Sequence, residues 1–342
     1  MLPGVSIVLC CHNSAARLPL TLAHLKTQIP AAAPWELLLI DNASNDDTEH
    51  IAVLSWAGGP APLRIITEPN LGLQHARERG LREAGYEFVA FIDDDNWLER
   101  SWVSVAHQTL AGDPSLGAIG SICIPAFESH EPPWFRDYHS IYAILTDLDE
   151  KNREKATDYY LHGAGLCIRR AAWIQLVEEG FHSILTDRVG QKLSGGGDTE
   201  LTTAIRLAGW QIRVERSLRL HHFMPATRLE WRYLRRLHRG YEESQVPLDA
   251  YSAHNLLHDP SLRWQLGQRW WCQLARSVLR LGCQPNSVLA ALASTGENRH
   301  DVIQVEREFG RILGLLRLRD NYRTLRKEIR SAPWTRIRAL RG

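Results

Sequence analysis

A chain of 342 residues and 38.9 kDa has room for one large domain or two ordinary ones, with a sizeable buried core. Hydrophobic residues make up 44% and charged residues 23%, and 40 Lys/Arg against 39 Asp/Glu leave a formal charge of +1. This balance excludes a disordered tail protein, a collagen, a disulfide miniprotein and a molecule whose overall field would draw nucleic acid.

The chain opens on Val5–Cys11, a β-favouring run that stops at His12-Asn13-Ser14, after which Leu18, Leu22 and Leu25 recur at helical spacing with Pro19 in the first turn. Trp35–Ile40 is a second apolar run ending in Asp41-Asn42-Ala43-Ser44, and Ser44 with Asp47 has the spacing of a capping box opening a helix through Leu54. Leu63–Thr67 and the helix-like Gln74–Ala84 form a third unit, and Phe88–Ile92 runs straight into Asp93-Asp94-Asp95. Four such units predict an α/β fold, a mostly parallel sheet with helices on both faces.

Ligands of such sheets bind beyond the carboxyl ends of the strands, where Asp41 and Asp93–Asp95 collect. No glycine-rich phosphate loop follows the first strand, so a nicotinamide fold and a P-loop kinase lack local support. Three adjacent carboxylates repel one another, and a divalent ion removes that cost; hard oxygen ligands favour Mg²⁺ or Mn²⁺. Alternation along an extended chain puts Asp93 and Asp95 on one side and Asp94 on the other. A solvated acidic turn is the competing reading.

Val5–Val8 with His12-Asn13, the strand ending Ile40-Asp41-Asn42-Ala43-Ser44, Asn70-Leu71-Gly72 with Ala76-Arg77, and Phe91-Ile92-Asp93-Asp94-Asp95, in that order, resemble the family 2 inverting glycosyltransferases of GT-A fold, over residues 1–225. The resemblance implies a nucleoside-diphosphate-sugar donor. Asp41 would lie near the nucleobase, Asn13 and the Cys11 backbone near the nucleoside, and Asp93 near the ribose. Asp95, with Asp93, would hold the metal that bridges the diphosphate, and Asn42, Asn70, Gly72, Arg77 and Asp94 would complete the donor crevice. Cys10-Cys11-His12-Asn13 stands where the family usually has Pro-Thr-Tyr-Asn. The loss of a hydroxyl at position 11 leaves UDP-, GDP- and dTDP-linked donors open.

Ser194–Glu200 leads into a helix pattern through Gly209. On the residues alone Asp198 serves equally as a cap or a catalyst; the resemblance makes it the base that deprotonates the acceptor hydroxyl, with Gly197 where Glu is frequent. His221 and His222 follow the strand-like Arg216–Leu220, and the resemblance points to His222 as a metal contact, with His221 its nearest competitor. Gly163, Ala164 and Gly165 resemble the floor on which donor and acceptor sugars meet. In the irregular span Phe127–Tyr160, Trp134 is a candidate sugar-stacking ring, and hydrophobic cover for the sheet is the reading expected for at least half of its aromatics.

Residues 226–342 read as a helical, basic region. Leu229, Tyr233, Leu234 and Leu237 share one face, Trp264–Leu281 and Val302–Leu318 follow, and Gln245–Pro247 and Gln284–Asn286 are the expected linkers. Packing of the Trp/Leu stripe near Arg269 on the catalytic domain (residues 1–225; a nucleotide half, 1–115, and an acceptor half, 116–225) or on a second subunit ranks ahead of an interfacial helix. Residues 301–342 carry 11 Lys/Arg and five Asp/Glu, a net +6 on a body of −5, which makes the end of the chain a candidate for peripheral contact with an anionic membrane.

The six cysteines contain no CxxC pair and read as reduced thiols; no run matches a signal peptide or a spanning helix, so a cytoplasmic protein, on the membrane face at most, is expected. These features together predict a metal-dependent inverting glycosyltransferase acting on a glycan or lipid-linked hydroxyl, with no nucleic-acid partner and homo-oligomerisation left open. The rivals are a sugar nucleotidyltransferase and an inactive glycan-binding protein of the same fold.

Overall fold

The computed structural model describes residues 1–29, 33–147, 149, 159–190, 192–252, 269–294 and 296–336. Strands β1 (Leu2–Cys11), β2 (Trp35–Asp41), β3 (Leu63–Thr67) and β4 (Tyr86–Asp93) alternate with helices α1 (Leu18–Lys26), α2 (Thr48–Trp56) and α3 (Leu73–Glu83). After β4 come β5 (Asn96–Leu98), α4 (Trp102–Gly112), β6 (Leu116–Phe127), a single turn α5 (Phe135–Tyr138), β7 (Leu166–Arg169), α6 (Arg170–Glu178), α7 (Gly197–Leu207) and β8 (Gln211–Met224). They build one eight-stranded sheet in the order β3-β2-β1-β4-β7-β6-β8-β5. The first four strands run parallel, as does β6 with β8, while β7 and β5 run against their neighbours.

The two faces bury different sets of side chains, as the period of a strand requires. Ile7 and Leu9 of β1 meet Leu22 of α1, Trp56 of α2 and Trp102 of α4 on one face, while Val8 meets Ala76 of α3, Leu176 of α6 and Ile205 of α7 on the other. Every residue of β2 is buried, and each fully buried Leu or Ile there stabilises the fold by about 1.5–3 kcal/mol.

Beyond β8 lie α8 (Trp231–Leu248), α9 (Trp270–Gly282), α10 (Pro285–Leu292), α11 (His300–Leu318) and α12 (Tyr322–Ser331). They cover both faces: Leu234, Leu237 and Ile303 join the first core, and Leu325, Ile329 and Trp334 join the second. Among the described residues no helix is long and apolar enough to cross a membrane. All six cysteines are free.

Several local expectations are corrected. The capping box is not formed: Ser44 Oγ accepts the Asn13 N–H at 3.0 Å, and the Thr48 N–H that opens α2 goes to Asp46 Oδ1 at 3.1 Å. Gln245–Pro247 is no linker but the last turn of α8. The Trp/Leu stripe of α9 packs away only in part: Trp270 and Leu274 pack beside Val246, Leu315 and Tyr322, and Leu281 beside Ala290 and Val302, while Trp271, Val278 and Leu279 are exposed. The expected start of that helix, residues 264–268, lies outside the described residues.

Candidate active site

Parallel pairing aligns the strand ends, with Cys11 opposite Asp41 and Cys10 opposite Asp93. Asn42 then ties three loops together, donating from Nδ2 to the carbonyls of Glu68 (3.2 Å) and Asn70 (2.7 Å) and accepting the Gly72 N–H at 2.7 Å.

The chain reverses after Asp93, and the three aspartates take three roles. Asp94 turns back to α1, accepting the Ser14 hydroxyl and Arg17 Nε (3.0 Å) and Nη2 (2.6 Å), so its charge is spent on bracing that helix. Asp95 points the other way, with Oδ1 3.3 Å from His222 Nε2 and Oδ2 2.7 Å from Arg228 Nη1. Burial alone would raise the Asp95 pKa, but His222 and Arg228 prevail and hold its carboxyl below the usual range. Asp93 is raised by burial and by the Asp95 charge beside it. Antiparallel pairing sets His222 opposite Asn96 and His221 opposite Trp97, so alternation separates the two histidines. His222 lines the pocket; His221 does not.

Arg77, reaching in from α3, is the central cation. Its Nη1 lies 2.7 Å from Asp187 Oδ2, and both side chains are buried. Burial disfavours its charge, and Asp187, Asp198 and Asp93 together more than restore it. Asp187 sits at φ +55° in a left-handed conformation that costs a non-glycine residue energy, and strain of this kind gathers at functional sites. Burial lifts the Asp187 pKa despite Arg77.

Asp198 is in the first turn of α7, but Gly196 is the cap residue. The carboxylate instead joins two segments, Oδ2 accepting the Gly163 N–H at 2.6 Å and Oδ1 the Thr199 N–H at 2.8 Å. Gly163 is wedged between Asp198 and Arg77: a side-chain carbon built there would lie 2.6 Å from Arg77 Nη2 and 3.2 Å from Asp198 Oδ2. Gly197 has a similar reason, since a side-chain carbon there would lie 2.6 Å from Asp187 Oδ2.

These residues line one pocket of about 620 Å³, within the usual range for small-molecule sites. Of the residues singled out from sequence it gathers Cys11, Asn42, Gly72, Arg77, Asp93, Asp94, Asp95, Gly163, Ala164, Asp198 and His222. Five are placed elsewhere. Asn13 is exposed and accepts the Asn45 N–H at 2.9 Å, and Asp41 accepts the Ser44 N–H at 3.3 Å. The Asn70 carbonyl serves Asn42, and Gly165, at φ +67°, packs against Ser121 and Leu220. Trp134 is buried against Phe135 and Trp231, so it covers the sheet as the plainer reading of the aromatics held.

The pocket also holds residues that sequence reasoning missed. Asp187 and Arg188 come from the loop before α7, and His238, Tyr241, His300 and Arg307 come from α8 and α11. Tyr138 Oη lies 2.8 Å from His300 Nδ1. His238 Nε2 is buried with no hydrogen-bond partner among the described residues, and burial, with Arg307 and His300 nearby, pushes its pKa down to about 4.

Among the described residues no three His, Cys, Asp or Glu side chains converge as a complete metal cage. A hard divalent ion that bridges phosphates does not need one, because it takes one or two protein ligands and fills its shell with phosphate oxygens and water. Asp95 Oδ1 and His222 Nε2, 3.3 Å apart, form such a pair, and His222 Nδ1 is buried and has no hydrogen-bond partner among the described residues. The residues present therefore fit the ion.

A parallel half, an antiparallel insertion and an acidic turn at the strand ends define the GT-A class of α/β fold. Residues 6–176, half of the chain, match the family model described as glycosyl transferase family 2, and the chain belongs to that family. It is 31% identical over 111 residues to the cholesterol galactosyltransferase of Borreliella burgdorferi, a match covering 32% of this chain and 30% of that protein. The chain thus matches less than a third of that relative's length. Two solved structures share the fold. Mannosyltransferase PcManGT from Pyrobaculum calidifontis, in complex with GDP-Man and Mn²⁺, aligns at TM-score 0.54 and 17% identity over 94% of this chain and 88% of its own. S. aureus TarS 1-349 in complex with UDP aligns at TM-score 0.51 and 16% identity over 99% and 89%.

Proposed function

We propose that the protein is a metal-dependent inverting glycosyltransferase that moves a sugar from a nucleoside diphosphate to a hydroxyl of a glycan or lipid-linked acceptor. The observation that carries this reading is the placement of Asp198 and the Asp95–His222 pair on one pocket, with the cations Arg77, Arg188 and Arg228 on its walls. A sugar transferase needs a base for the acceptor and positive charge for the departing diphosphate.

In this reading Asp198 takes the proton of the acceptor hydroxyl as that oxygen bonds to the anomeric carbon from the face opposite the diphosphate. The bond from that carbon to the diphosphate oxygen breaks, and the nucleoside diphosphate leaves with the electron pair. The Gly163 and Thr199 amides hold the Asp198 carboxylate in place. Asp95 and His222 would hold Mg²⁺ or Mn²⁺, which neutralises charge on the leaving diphosphate. Arg228, now on Asp95, and Arg188 supply further charge. The cysteines at the β1 end remain thiols, with Cys10 pushed up to about 12 by burial, so they act as apolar wall.

Asp198→Asn keeps the shape and can accept one of the two amide N–H groups, since its Nδ2 donates and does not accept, and it cannot take a proton. Turnover of sugar nucleotide with acceptor should fall by at least about 10²-fold while nucleotide affinity by calorimetry changes little. Near-normal transfer by the variant would reduce Asp198 to a structural joint.

A further inference from the structure

We infer that α9 and α10 form a docking face for an anionic lipid surface, placing the pocket beside a membrane that carries its acceptor. The acceptor half of this statement rests on the glycosyltransferase reading; the docking half does not.

The observation is a helix with apolar side chains on two faces: Trp270, Leu274 and Leu281 pack inward, and a second group stays outside. α9 turns Gln273 and Ser277 inward, where Gln273 Nε2 bonds Tyr322 Oη at 2.6 Å, and presents Trp271 (48% exposed), Val278 and Leu279 (67%) outward. After the turn at Cys283-Gln284, α10 repeats the pattern, burying Ala290 and Ala291 while Leu289 and Leu292 (69%) stand in solvent. Grouped large apolar side chains exposed on consecutive helices mark an interaction site rather than ordinary surface.

Charge selects the occupant. Residues 269 to 294, which carry α9 and α10, hold three arginines, at 269, 276 and 280, and no Asp or Glu. Arg269 lies 6.0 Å over the Trp271 ring. Apolar side chains flanked by Arg269 and Arg276, with Arg280 paired to Glu308 of α11, match the acyl and headgroup layers of an anionic bilayer. A second copy seated on this face would bring the same arginines against one another, because a two-fold interface pairs a patch with itself.

Position links the face to chemistry. Arg280 bonds Glu308 of α11 at 2.8 Å, and Ser287 of α10 bonds Asp301 at 2.6 Å. The first turns of the same α11 line the pocket through His300, Ile303, Gln304 and Arg307. The docking helices therefore stand one helix away from the pocket.

The test is co-sedimentation of the full chain, without nucleotide, with vesicles of phosphatidylcholine alone or mixed with phosphatidylglycerol. The wild type should pellet with the mixed vesicles, less as salt rises. Leu279→Glu/Leu292→Glu, two exposed positions, should weaken binding at least about tenfold with an unchanged melting temperature and nucleotide affinity. Arg276→Glu should weaken it on mixed vesicles alone. A wild type that stays in the supernatant, a double variant that still pellets, or light scattering that shows a dimer which the double variant dissolves would each overturn the docking face. Nucleotide binding, measured on the same samples, stands or falls separately and reports on the glycosyltransferase reading.

Discussion

A methyl group added at Gly163 would strike Arg77 Nη2, the cation that faces Asp187, and press on the carboxylate of Asp198. Gly163→Ala should therefore cost about 10²-fold in turnover, since displacements of this size at a reacting group are expensive, with little change in melting temperature; wild-type turnover would show that Arg77 yields without disturbing Asp198. His238 gives the residue-level pH dependence. Folded, it binds a proton only near pH 4, against 6.5 in an unfolded chain. Between these values the unfolded state holds more protons, so stability falls as pH drops from about 6.5 toward 4, by up to about 3 kcal/mol, and is untouched by this group above that window. Denaturant titrations at both ends of the window should show a smaller loss for His238→Gln than for the wild type. Asp93 and Asp95 were legible in the sequence as an acidic run at a strand end, whereas Asp198 and His222 were singled out only through the family resemblance. Asp187, His238 and Arg307 were not, because each is an ordinary residue in its own segment and meets the site only through tertiary packing.

α8 and α11 are joined backbone to backbone. Side-chain carbons at Gly310 and Gly314 would lie 2.1 Å from the Arg239 carbonyl oxygen and 2.6 Å from that of Glu243. Pro247 explains the second contact: lacking an N–H, it leaves the Glu243 carbonyl without its helical partner, and the bare Gly314 backbone comes up to it. Read along the sequence Pro247 marks a break; in the fold it sits one residue from the end of α8, where a lost hydrogen bond is cheap. The βα units were legible because a continuous apolar run needs no partner to be recognised, whereas the orientation of α9 depends on what α11 and Tyr322 offer to Gln273. Buried Glu306 of α11 holds Arg235 Nε at 2.8 Å and Arg239 Nε at 2.7 Å. Glu306→Ala leaves the buried Arg235 uncompensated and should cost about 3–5 kcal/mol in urea unfolding. A loss under about 1 kcal/mol would mean that the glycine contacts alone hold the two helices.

At the scale of the molecule, the charge asymmetry between a −5 body and a +6 end is partly consumed inside the fold. Arg311 pairs with Asp249 (2.7 Å), Arg317 with Glu243, and Arg336 with Glu179 (2.9 Å). The expectation that the basic end faces a membrane did not foresee these partners, since only the fold brings them near. The same packing changes the expectation for a truncated chain. Ending it after Gly310 severs α11 and removes Leu315, Leu325, Ile329 and Trp334 from their clusters, so the fragment should lose cooperative thermal unfolding. A fragment that melts in one transition and binds nucleotide as the full chain does would make the end a mere appendage.

The wall contributed by His300, Ile303 and Arg307 also sets an order of events during synthesis. A nascent chain that has emerged through β8 already carries Asp93, Asp95, Asp198 and His222, yet its crevice stays open on one side until α11 leaves the ribosome and settles on α8. The crevice is then walled on all sides only after α11 has folded, not with the first folded half.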